Sequence, residues 1–197
     1  MIAINSQRYD RTTRWLHTAL AAGVITQLLL SAVMTVPAGR GLGTPDWHRE
    51  AFELHAKTGL FVAFICACHW VWICLPRSRP GYFYLFPWLK HAGRVAMSQA
   101  FSAMLGWRLH SLQMARPLVG TIHGLGLLAV SGSAICGLVN YLGYFLGVPI
   151  SRAVLHGVGL AHIACGYLIW AFVVGHVVMA TVHGVMRRFA SVDHLPQ

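Results

Sequence analysis

The chain has 197 residues, 56% of them hydrophobic and only 10% charged, with a mean hydropathy of +0.59. Soluble domains carry roughly 45–50% apolar and about 25% charged residues, so an ordinary water-soluble enzyme is excluded. A formal net charge of +10 arises from 15 Lys and Arg against 5 Asp and Glu; in so apolar a chain the placement of the cations matters more than their sum, and nucleic acid is not needed to explain it.

Four stretches, 15–36, 52–75, 118–142 and 155–182, are long and apolar enough to cross a hydrocarbon layer as helices. Arg8, Arg11 and Arg14 precede the first, as in a secretory signal. Its apolar run exceeds a signal core, however, and "AVMTVPAGRG" offers a poor cleavage site, so it is expected to remain as a span. Cations outside the spans divide unequally. Arg8, Arg11, Arg14, Arg77, Arg79, Lys90, Arg94, Arg108, Arg116, Arg187 and Arg188 fall on one side, and Arg40, Arg49 and Arg152 on the other. The positive-inside rule then places both termini and the 76–117 connection in the cytoplasm, with three of the acids, Asp46, Glu50 and Glu53, at or near the outer loop. The net charge reads as topology plus attraction to anionic lipid.

The central connection is more than a turn. "GYFYLFPWL" (81–89) supplies aromatic residues suited to an interface, and 94–117 gathers Val95, Phe101, Met104, Leu105, Leu109 and Leu112 broadly on one side of a helix. The expected fold is a single all-α domain over 1–197, a polytopic membrane four-helix bundle with both termini cytoplasmic and an interfacial helix in the central cytoplasmic connection.

Histidine inside a membrane helix needs partners for its nitrogens, so histidine at depth marks a functional site. On the fourth span His162, His176 and His183 follow at intervals of fourteen and seven, which keeps them within about 60° of one helix face. The fourteen-residue interval is about 21 Å of rise, suited to two cofactors stacked across the bilayer. His17, near the cytoplasmic start of span one, matches His176 in depth, and His55, near the outer start of span two, matches His162. Paired imidazoles suit haem iron better than zinc, which more often draws thiolate or carboxylate ligands to one depth. His69, fourteen residues after His55, competes with His17 or His176 as a ligand or lines the inner pocket. His183 and His123 are placed to hydrogen-bond a propionate or quinone.

Other residues shape this expectation. Gly159 and Gly166 flank His162, Gly59 follows His55 by a turn, and Gly120 with Gly124 forms a small-x-x-x-small pair, as for a flat group between helices. Cys66, Cys68, Cys74, Cys136 and Cys165 lie in apolar helices with no C-x-x-C-H, so haem would be held non-covalently. Arg14, one turn before His17, and Lys57, beside His55, are candidate propionate partners.

"TTRWLH" (12–17), "LHAKTG" (54–59), "IHGLGLL" (122–128) and the fourth-span histidines resemble the bacterial cytochrome b561 family, within the wider di-haem b group that includes hydrogenase and formate dehydrogenase membrane subunits. The resemblance covers nearly the whole chain. It implies two b haems, with His17 and His176 ligating the cytoplasmic-side one and His55 and His162 the outer one. It also implies electron passage between membrane quinone and a dehydrogenase or cytochrome partner, in the bacterial inner membrane. The chain departs from the family in carrying His69 where members commonly have arginine, and in a longer 76–117 connection.

The resulting expectation is an electron-transfer subunit, with lipid, quinone, a redox partner subunit and a second copy of the chain as partners. His183, His69, Glu53 and His123 are the candidate proton carriers for quinone chemistry. The rivals are a stand-alone quinone oxidoreductase of the small cytochrome b561 type, drawing electrons from a reductant such as superoxide, and a non-redox membrane scaffold.

Overall fold

The computed structural model describes residues 10–34, 46–76, 78, 81–106 and 112–192, with side chains described at all of these except 112–114, 180 and 182–192. Arg8, Arg40, Arg77, Arg79 and Arg108 therefore lie outside the described residues, as do the side chains of His183, Arg187 and Arg188. In chain order the elements are α1 (Arg11–Val33), α2 (Asp46–Cys74), a single turn α3 (Tyr82–Leu85), a 3-10 turn (Pro87–Leu89), α4 (His91–Leu105), α5 (Leu112–Tyr144) and α6 (Arg152–Val192). Four of these helices are long and apolar enough to span a membrane.

The long helices begin three to six residues before the apolar runs that announce them. Hydropathy marks the hydrocarbon core, whereas a helix continues into the polar interface wherever its ends are capped. At the start of α1 the Asp10 carboxylate accepts from the Thr13 backbone N–H at 2.6 Å and from its hydroxyl at 2.9 Å. The expected 94–117 helix is instead divided: α4 stops at Gly106, and residues 112–117 already belong to α5, which runs through Pro117. Proline near a helix start removes a hydrogen bond that is only one turn from the unpaired end, so the helix survives it.

The bundle is assembled from two hairpins. In the first, Gly23 lets Val62 approach α1, Gly59 faces the Gln27 amide, and Gln27 donates to Thr58 Oγ1 at 2.5 Å. Trp72 Nε1 donates to the Thr13 hydroxyl at 2.9 Å, tying the start of α1 to the end of α2. In the second, Gly126, Gly132, Gly137 and Gly143 form a groove on α5 that receives Phe172, Cys165, His162 and Leu155 of α6. Small residues let membrane helices approach closely where lipid offers no hydrophobic drive. The hairpins meet where Trp70 Nε1 donates to Ser131 Oγ at 2.8 Å. Leu20, Val24, Val62, Ile65, Ile73, Leu127, Val130 and Ile169 make one core through all four long helices.

Two glycine readings are corrected here. Gly59 serves the α1–α2 contact, and Gly120 and Gly124 accommodate the backbone carbonyls of Tyr84 and Leu85, which a Cβ would strike. The 81–89 segment therefore belongs to the bundle itself. Phe86 is buried and stacks on Trp70 with ring centroids 5.5 Å apart, so part of the aromatic stretch is core rather than surface. Outward-facing positions on the long helices carry exposed apolar side chains such as Leu29, Phe64, Ile135 and Tyr167, the distribution expected where the solvent is hydrocarbon.

Candidate functional site

Imidazoles meet at two levels. His17 of α1 and His176 of α6 face each other with ring centroids 6.4 Å apart. Fourteen residues from His176, His162 faces His55 of α2 at 6.1 Å. These are the two pairs expected from depth. The separations can be compared with simple coordination geometry. An imidazole nitrogen sits about 2.0–2.1 Å from a bound metal, and a five-membered ring with bonds of about 1.33 Å has a radius of about 1.1 Å. Two rings on opposite sides of one metal thus have centroids about 6.3 Å apart, whereas a tetrahedral angle brings them to about 5.1 Å. Both observed separations are close to the larger of these values.

Hydrogen bonds prepare the rings for this role. His162 Nδ1 lies 2.9 Å from the Ser133 carbonyl, an acceptor only, so Nδ1 carries the proton and Nε2 keeps its lone pair. Gly137 makes room for that ring: a Cβ there would sit 3.3 Å from His162 Cε1. His55 Nδ1 is buried beside the Gln27 backbone, without a hydrogen bond of good geometry. On the His162 face of α6, Gly159 and Gly166 have no atom within 4 Å of an added Cβ. A flat group can lie directly against the backbone there.

The inner level is more crowded than expected. His123 of α5 joins His17 and His176, each of the three offering a nitrogen within 4.8 Å of the others. His69 is buried on α2 as an electrostatic neighbour of His17, its Nδ1 without a partner among the described residues. Arg14 is exposed, one turn before His17 on α1. Lys57, two residues past His55, points to a different side of α2, and its ammonium lies 3.6 Å from Glu53 on an exposed surface. The structure thus gathers His17, His69, His123 and His176 at one level and His55 and His162 at the other. Sequence reasoning gave His123 a hydrogen-bonding role and did not foresee its ring standing with those of His17 and His176. Its signal was available: an apolar helix antiparallel to α6 with a histidine in its inner half reaches the depth of His176.

Comparison with known proteins bears directly on this arrangement. Residues 8–193 match the family described as prokaryotic cytochrome b561. The chain belongs to the prokaryotic cytochrome b561 family. No curated protein and no solved structure gives a significant match. As a cytochrome b561 the chain is a membrane electron carrier, and the family assignment with four long apolar helices supports a polytopic inner-membrane protein. Family membership implies b haem as its cofactor, and the paired imidazoles at two levels and the open glycine face fit that group.

Proposed function

We propose that this cytochrome b561 carries electrons across the inner membrane through two bis-histidine haem b sites, between the quinone pool and a redox partner protein. The observation that carries the reading is the pair of imidazole separations, 6.4 Å for His17–His176 and 6.1 Å for His55–His162. His17, His176, His55 and His162 would hold b haem, which would supply reversible one-electron chemistry there. The protein's part is to hold the rings. Ser133 fixes the tautomer of His162, and Gly159 and Gly166 leave the flat face clear.

The excess of cations near the chain termini and in the 76–117 connection places the His17–His176 level on the cytoplasmic side and the His55–His162 level on the outer side. In that orientation α4, with exposed Val95, Phe101 and Leu105, lies along the inner leaflet as a docking surface. Arg14, one turn before His17, is assigned to the propionates of the inner haem. Lys57, paired with Glu53 on a different side of α2 from His55, is not given that role at the outer one. His69 and His183 are the proposed proton carriers for quinone at the inner level. A reduced-minus-oxidised spectrum of the purified chain with haem quantitation tests the reading: about two b haems per chain support it, and a colourless protein from cells amply supplied with haem overturns it.

A further inference from the structure

Gln27 puts a primary amide inside the apolar run of α1, where a polar group has to find its partners in protein. Its Nε2 donates to Thr58 Oγ1 on α2 at 2.5 Å, and the Thr58 hydroxyl donates in turn to the Leu54 carbonyl at 2.7 Å. A hydroxyl has one proton, so the direction of both bonds is set. On the other side of the amide stands Gly59, where an added Cβ would come within 3.3 Å of Gln27 Oε1. Thr58 and Gly59 form a seat for Gln27, three and four residues after His55.

The seat fixes more than a side chain. The backbone of Gln27 is beside His55 Nδ1, although no bond of good geometry is closed there. A backbone carbonyl only accepts, so a ring held against it carries its proton on Nδ1 and keeps the Nε2 lone pair for a metal. The Ser133 carbonyl does this for His162, 2.9 Å from its Nδ1. The two rings face each other at 6.1 Å, with their planes 88° apart. Each ring of the outer pair thus has a carbonyl of a neighbouring helix at its Nδ1, Ser133 of α5 for one and Gln27 of α1 for the other.

We infer that Gln27 is a positioning residue of the outer site: seated on Thr58 and Gly59, it sets the α1 backbone carbonyl against His55 Nδ1 and so governs the orientation and donor strength of that ligand. This rests on the di-haem reading above. A hydrogen bond at the far ring nitrogen makes imidazole a stronger donor, and a stronger donor favours oxidised over reduced iron. A plain clamp between α1 and α2 would act differently. Because α1 also carries His17, loosening the clamp would disturb both levels.

The test uses the full-length, haem-loaded protein with Gln27→Met and Thr58→Val, which keep approximate shape and delete the bond, and Thr58→Ser, which retains the hydroxyl. Each is read by haem per chain, by redox titration and by electron paramagnetic resonance of the oxidised form, with the outer haem identified by its loss in His162→Ala. In Gln27→Met and Thr58→Val the outer haem should titrate at a higher potential than in wild type, show a changed low-spin signal and bind about 10-fold more weakly, while the inner haem is unchanged. Thr58→Ser should behave as wild type. The inference is overturned if the outer haem keeps its wild-type potential and signal in both Gln27→Met and Thr58→Val, if both haems shift together, or if Thr58→Ser shifts as far as Thr58→Val. Wild-type protein with no haem at all overturns the di-haem reading instead.

Discussion

Gly166 separates a cofactor slot from ordinary helix packing. It follows His162 by four residues, about 40° round α6, and an added Cβ there meets no atom within 4 Å. Gly166→Ala is therefore free of steric cost within the polypeptide, and removing glycine from a helix interior favours the helix by about 0.5–1 kcal/mol. A flat ring held between His55 and His162, whose centroids are 6.1 Å apart, would meet the new side chain. Forcing extra methylenes into a filled site costs about 1–3 kcal/mol, which lowers affinity for the outer haem about 5- to 150-fold. The assay is haem titration of the purified variant by difference spectroscopy, alongside thermal unfolding. We expect an unchanged inner signal, a weakened outer one and thermal stability no lower than that of wild type in haem-depleted samples. Unaltered outer-haem affinity would refute the placement of the slot.

Gly124→Ala should behave in the opposite way. Its Cβ strikes the Leu85 carbonyl, so the bundle loses about 1–3 kcal/mol, measured as a lower unfolding midpoint whether or not haem is bound. Trp70→Phe keeps the stacking on Phe86 but deletes the bond to Ser131; a loss of about 0.5–1.5 kcal/mol is expected in the same assay. Orientation is read by labelling introduced cysteines with an impermeant maleimide. Glu50→Cys should react in intact spheroplasts and Ser98→Cys only after permeabilisation, and the reverse pattern would contradict the inside-positive assignment.

Much of the fold was legible because membrane spans and helical faces are periodic properties of contiguous sequence. The four apolar runs located the long helices, and intervals of fourteen residues placed His162 with His176 on one stripe, with partners found at matching depth. What escaped were contacts between segments distant in sequence. Gly120 and Gly124 look like a helix-pairing motif, yet the surfaces they admit are the carbonyls of Tyr84 and Leu85; nothing local distinguishes the two. Phe86 is interfacial by composition, but becomes core against Trp70 because the segment before α4 folds back between α2 and α5. Lys57 is adjacent to His55 along the chain and on another side in space, since two residues turn a helix by about 200°. Nor does histidine spacing on one helix reveal a third ring arriving from another, as the ring of His123 does.

The central claim is that two opposed histidine pairs hold two b haems, and haem stoichiometry across single ligand variants tests it most directly. Purified wild type should carry about two b haems per chain, while His55→Ala and His162→Ala each leave about one, with the inner spectrum intact. Wild type without haem, or two haems persisting in both outer-pair variants, would contradict the account.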